Sequence, residues 1–211
     1  MLNKIRDYLD FADLQYRNPD KSGEEREKML ELRHKGQEAR KAFTELAKAF
    51  QASHPEWQLQ QTSQWMNQAQ RLRPHFWVYL QRDGQVTEPM LALRLYGSPS
   101  DFGVSLEVSF IERKKDEQTL GKQAKVLEIS TIEGIYYLAY SDGQSQRWEA
   151  NEENRRTLRE KLRSQEVRKV LVKVDVPVTE NSSEEEIVEG LLKSYAKILP
   201  YYLATRKLDN L

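Results

Sequence analysis

Between His75 and Arg113 the chain alternates apolar and polar positions in three runs, HFWVYLQ, MLALRLY and GVSLEVSFI, with turn chemistry between them. Successive side chains of a strand point to opposite faces, so alternation at period two predicts strands with one buried face. In the first run Phe76, Val78 and Leu80 point one way and Trp77, Tyr79 and Gln81 the other. Asp83-Gly84 then supplies a hairpin turn signal. The second run, about 90–96, sets Leu91, Leu93 and Leu95 opposite Met90, Ala92, Arg94 and Tyr96. A Gly-Ser-Pro-Ser-Asp loop follows at 97–101, and Val104, Leu106, Val108 and Phe110 then oppose Ser105, Glu107, Ser109 and Ile111. The three runs predict an antiparallel meander with one face in the core.

Elsewhere the apolar spacing is helical. Leu2, Ile5, Leu9 and Ala12 predict a short amphipathic helix over 2–16, broken at Asn18-Pro19 and Ser22-Gly23. Leu32, Gly36, Ala39, Phe43, Leu46 and Phe50 repeat at three- and four-residue steps and predict one long helix over about 24–52, ended by His54-Pro55. Residues 56–72 read as a third helix with Trp57, Trp65, Met66, Ala69 and Leu72 inward. Its six glutamines form a polar face. Residues 114–128 read as helical, weakened by Gly121.

A fourth strand over 135–140 meets a second Asp-Gly turn at Asp142-Gly143 and a partner strand at 144–149. Asn151 can cap a helix over 152–164. Val170, Val172, Val174 and Val176 alternate with Leu171, Lys173 and Asp175 in a further strand closed by Pro177. Ser183 and Glu186 make a capping box for a last helix over 184–206, which Pro200 should kink or interrupt. The expected fold is α+β: N-terminal helices, a mainly antiparallel twisted sheet and a long C-terminal helix packed back on it. The expected division is a helical region, 1–73, packed on an α+β domain, 74–211.

Composition narrows the setting. Of 211 residues 38% are apolar and 31% charged, a balance that suits a protein with much solvated helical surface. Lys plus Arg and Asp plus Glu each number 33, so no overall basic excess points to nucleic acid or membrane. The absence of cysteine excludes disulfides, thiolate metal sites and a cysteine nucleophile. No stretch approaches the ~20 apolar residues of a membrane span, and the N-terminus has no signal-peptide pattern. A cytoplasmic protein without a membrane partner is expected.

Candidate chemistry is sparse. Asp101 and Glu112-Arg113-Lys114 resemble the two-carboxylate-plus-lysine pattern of Mg²⁺-dependent nucleases. However, eleven extended residues would separate the two acids by roughly 35 Å, at opposite ends of one strand. His34, His54 and His75 form no metal-ligand spacing, and no phosphate-binding glycine loop or nucleophile elbow occurs. No cofactor is implied. Two surfaces stand out instead. One is the non-core face of the meander, carrying Trp77, Tyr79, Arg94, Tyr96 and Glu107, where exposed aromatics can anchor a protein partner. Glu107 lies near Arg94 if the second and third strands pair, which predicts a cross-strand ion pair, and helices packed on both sheet faces would partly bury the two residues and make them candidates for ligand binding. The other is the arginine stripe at 155–169, led by Arg155, Arg156 and Arg159, which can grip phosphates although glutamates are interspersed.

The charged helical opening, the segment ELRHKGQEARKAFTELAKAFQ at Glu31–Gln51 and the strand HFWVYL together resemble uncharacterised proteins of Gram-positive bacteria, some of which carry a ribonuclease P label. That label implies a small, strongly basic subunit with an arginine-rich helix. This chain is neutral and longer, and glutamates interrupt its arginine helix. The expectation is therefore a non-enzymatic binding or interaction module, acting on a protein partner or by self-association. Nucleic-acid binding through the arginine stripe is the alternative, and a metal-dependent nuclease or phosphatase the second alternative.

Overall fold

A computed structural model describes residues 1–82 and 84–206. Asp83, half of the first predicted Asp-Gly turn, and residues 207–211 lie outside the described residues. The architecture is α+β, with N-terminal helices, a seven-stranded antiparallel sheet and a C-terminal helix. The helices are α1 (Leu2–Leu9), α2 (Arg26–Ala52), α3 (Thr119–Ala124), α4 (Glu152–Arg163) and α5 (Glu184–Thr205). The strands are β1 (Gln58–Leu59), β2 (Trp77–Gln81), β3 (Met90–Ser98), β4 (Asp101–Ser109), β5 (Tyr136–Ser141), β6 (Gln144–Glu149) and β7 (Lys169–Val178). They lie side by side in the order β1-β2-β3-β4-β7-β5-β6.

Two compact units are built on these elements. The first comprises Met1–Tyr79, Leu93–Val104 and Val176–Gly190, and the second Leu80–Ala92, Ser105–Asp175 and Leu191–Leu211.

In the first unit the seam of α2 is buried as its spacing requires. Leu32, Ala39, Phe43, Leu46 and Phe50 are each 1% exposed or less. The Phe43 and Phe76 rings lie 6.0 Å apart, and Phe76 stacks on Tyr8 at 5.2 Å. Gly36 belongs to the seam because the Trp65 indole occupies the place of its side chain. Helix α1 stops at Leu9, short of the predicted 16. The Asp13 and Tyr16 amides donate instead to the carbonyls of Leu72 and Gln70, at 2.9 and 2.8 Å.

Residues 56–72 are not a helix, contrary to the sequence expectation. Trp57, Trp65 and Leu72 are buried but stand eight and seven residues apart, too sparse for a continuous apolar stripe. Tertiary bonds take the segment's backbone groups. The Tyr8 hydroxyl lies 2.6 Å from the Trp65 carbonyl, and the Arg40 guanidinium donates to the carbonyls of Thr62 and Ser63 at 2.9 and 3.0 Å. The Gln60 and Ser63 amides donate to the carbonyls of Tyr79 and Trp77, so the chain runs along β2 as an edge.

The second unit follows its turn and cap signals closely. Asp142 and Gly143 both adopt positive φ, 48° and 75°, the backbone of a tight hairpin turn, and Ser141 pairs with Gln144 across it. Strand β5 also pairs antiparallel with β7, with Tyr136 opposite Lys173 and Leu138 opposite Leu171. The Asn151 side chain accepts from the Asn154 amide at 2.8 Å and caps α4. Helix α3 starts only at Thr119, because Asp116 accepts from the Gln118 and Thr119 amides and fixes a turn ahead of it.

Helix α5 begins at the predicted capping box. The Glu186 amide donates to the Ser183 hydroxyl at 3.1 Å and the Ser183 amide to the Glu186 carboxylate at 2.9 Å. Pro200 does not interrupt it, and the helix runs on to Thr205.

Candidate functional site

Strand β2 carries Trp77 and Tyr79 away from the Phe76/Val78 face, and both are half-buried. Two cations lie against Trp77, with the Arg73 guanidinium 4.7 Å and the Arg94 guanidinium 5.3 Å from its ring centroid. The His75 ring lies 6.0 Å away. Two residues on from Arg94, half-buried Tyr96 lays its hydroxyl over Gly103, where a methyl group would come within 2.4 Å of that oxygen. The first unit thus presents one aromatic and cationic patch built from Trp77, Arg94, Tyr79 and Tyr96, with Arg73 as a member that strand alternation could not reveal.

Glu107, of the second unit, is not a surface residue. Its side chain is fully buried, and its carboxylate lies 2.9 Å from the ammonium of Lys173, itself 6% exposed. Strand β4 is buried at every position from Phe102 to Ser109, so both of its faces are covered. Beside this pair the Tyr136 hydroxyl donates to Asp175 at 2.9 Å, and Arg147 donates to the other oxygen of that carboxylate at 2.9 Å. The Arg147 guanidinium lies 3.5 Å over the Tyr136 ring. Burial pushes the Tyr136 hydroxyl well above its ordinary range, and the Asp175 carboxylate pushes it further. Tyr136 is therefore a fixed donor at neutral pH. Lys173 and Asp175 stand opposite the valine face of β7 in plain alternation. Their partners are hidden in the sequence because the neighbours of β7, β4 on one side and β5 with β6 on the other, are not local.

The arginine stripe divides. Arg155 donates to the Leu127 carbonyl at 2.7 Å and to Glu152 at 2.6 and 2.9 Å, so it ties α4 to the 3₁₀ turn Lys125–Glu128. Arg156 is exposed and, among the described residues, reaches only the Glu152 carbonyl, at 3.4 Å. Arg159 is half-buried and lines a cleft with Arg163. Arg168 and Lys169 are drawn to Glu112, with Lys169 at 2.7 Å, and Lys169 also sits over the Phe110 and Tyr140 rings at 5.1 and 4.3 Å.

Asp101 and Glu112 are not brought together. Asp101 opens β4 and Glu112 follows its far end, with no break in the strand between. Glu112 is engaged by Lys169, Arg168 and Lys115. Among the described residues no group of three His, Cys, Asp or Glu side chains could hold a metal ion, and no helix is long and apolar enough to cross a membrane.

Fold and surface define an α+β protein with an arginine- and aromatic-bearing sheet. No protein-family model, curated protein or solved structure matches the chain.

Proposed function

We propose that this protein is a non-enzymatic binding module whose contact surface is the Trp77 patch of the first unit and whose partner is a protein surface, a second copy being the simplest case. The observation that carries this reading is the half-buried Trp77 indole with Arg73 and Arg94 on its ring. Trp, Tyr and Arg are the residues that dominate the energy of protein interfaces. Here Trp77, Tyr79, Arg94 and Tyr96 stand on strands and are already half-buried, so little side-chain freedom is lost when a partner docks. The charged composition supports a cytoplasmic setting.

The test has two arms. Sedimentation of the chain at roughly 100 μM, well above a micromolar Kd, should show an assembly that Trp77→Ala and Arg94→Ala both weaken. A monomer there removes the second copy as partner. A photo-crosslinking residue at Tyr79 in cells should then trap a protein, and the absence of any adduct rejects the reading.

A second reading is nucleic-acid binding. Arg156 favours it, being exposed and, among the described residues, bonded only to a backbone carbonyl. A gel shift at ~50 mM salt, where phosphate contacts are strongest, should be lost in Arg156→Ala/Arg159→Ala. No shift at that salt rejects it.

A further inference from the structure

Between α3 with its following 3₁₀ turn and the second half of α4 lies an open cleft of about 400 Å³ within the second unit. Ala124, Leu127 and Leu162 give it an apolar floor, Gly121 stands on one wall, and Lys125, Arg159 and Arg163 contribute cations against the single carboxylate of Glu128. The lining therefore carries a net charge of +2, three cations less one acid. A cleft lined mainly by one sign of charge on low-dielectric walls concentrates counter-ions of the other sign. Its volume falls within the range of small-molecule sites.

Three features set this cleft apart from a solvated charged face. First, its width is fixed. Arg155, one turn before Arg159, donates to the Leu127 carbonyl at 2.7 Å and pins one wall to the other. Second, among the described residues no carboxylate holds Arg159 or Arg163, whereas Arg155 and Lys161 of the same helix pair with Glu152 and Glu166. Arg163 sits in the last turn of α4, where a cation offsets the helix dipole, but Arg159 lies a turn earlier and has no such role. Third, Gly121 weakens α3 for no internal reason. A methyl group built on it meets nothing within 4 Å, and its backbone has no positive φ. A glycine inside a helix costs stability relative to alanine, and this one keeps a cleft wall clear.

We propose that this cleft binds the phosphate monoester of a small ligand, with Arg159 and Arg163 gripping the dianion and the apolar floor taking the ligand's body. Guanidinium groups suit phosphate because their paired N–H donors match its oxygens. This site shares no residue with the Trp77 patch and does not depend on that reading.

The test is a backbone-amide NMR titration of the full chain with inorganic phosphate, adenosine monophosphate and a ten-residue oligothymidylate. Saturable shifts at 121–128 and 159–163 are expected with the two monoester-type probes. Adenosine monophosphate should bind more tightly than phosphate because it also covers the floor. Arg159→Gln/Arg163→Gln should weaken binding about tenfold or more, the loss of a charge-assisted pair. Arg26→Gln, which removes a cation of the first unit that pairs with Glu27, should leave binding unchanged. Gly121→Ala should raise the melting temperature yet weaken adenosine monophosphate, which separates filling of the cleft from damage to the fold. Saturation by the oligonucleotide alone, equal binding by the double variant, or no saturable shift with either monoester-type probe would overturn the proposal.

Discussion

The Glu107 carboxylate and the Lys173 ammonium lie 2.9 Å apart, with side chains 0% and 6% exposed, as a buried ion pair between neighbouring strands β4 and β7. Desolvating two charges costs several kcal/mol, and their mutual attraction offsets that cost only while both are present. Glu107→Ala or Lys173→Ala should therefore destabilise the protein by about 3–5 kcal/mol, because each strands a buried charge. The double substitution Glu107→Leu/Lys173→Met should recover most of that loss. Urea unfolding of the three variants measures this. A single variant within ~1 kcal/mol of the parent would show that the pair is not desolvated.

Gln123 joins the same two strands from α3. It is fully buried, and its amide nitrogen donates to the carbonyls of Val108 and Val170 at 3.1 and 3.0 Å. Gln123→Met fills the space but supplies no donor, and about 1–3 kcal/mol should be lost, the cost of a buried polar group left unpaired. Gln123→Glu should be worse at neutral pH, since it turns a carboxylate toward two carbonyl oxygens. That variant should regain stability on acidification, when the protonated acid donates again. Unfolding midpoints at neutral and acidic pH decide the matter.

These contacts show where the sequence is informative. The hairpin at Asp142-Gly143, the Asn151 cap and the Ser183/Glu186 box are local, so residue identity alone specifies them. The patch residues Trp77 and Arg94 were legible because alternation puts each on the non-core side of its strand. The Glu107–Lys173 pair was not, since 66 positions separate its members and only the strand order makes them neighbours. Residues 56–72 misled for the converse reason. Glutamine has good helix propensity, but Tyr8 and Arg40 bind the segment's carbonyls, and tertiary bonds override a weak local preference. Arg155 shows the same limit, because its bond to the Leu127 carbonyl joins residues 28 positions apart and no helical spacing discloses it.

Gly36 offers a test of packing against propensity. A methyl group there would lie 2.5 Å from Cε3 and 2.7 Å from Cδ2 of Trp65, whose ring is wedged edge-on against Tyr16 at 5.0 Å. Alanine gains about 1 kcal/mol of helix propensity, while overpacking a filled core costs about 1–3 kcal/mol. Gly36→Ala should thus be net destabilising by about 1 kcal/mol and should alter the near-ultraviolet circular dichroism of Trp65. Gly121→Ala, with open space at its position, should stabilise by a few tenths to about 1 kcal/mol. The same substitution in two helices should give opposite signs in thermal melts.

Glu112 sets an acid sensitivity whose sign is fixed by its neighbours. Partial burial acts to raise its pKa, but Lys169 at 2.7 Å, Arg168 and Lys115 at 3.3 Å outweigh it, and the net shift is downward. A depressed folded-state pKa means that the stabilisation is fully present above the unfolded value, about 4.3 for glutamate, and is lost as pH falls through the lower folded value. The side chain is 41% exposed, so solvent screening holds the contribution to about 1 kcal/mol or less. Glu112→Gln should be less stable than the parent at pH 7 by that amount. The gap should narrow as pH falls below the unfolded value and close once pH has passed below the depressed folded-state value, where the parent side chain is neutral as well. Urea midpoints of parent and variant across this range are the measurement, and a gap independent of pH would mean that packing, not charge, is what Glu112 contributes.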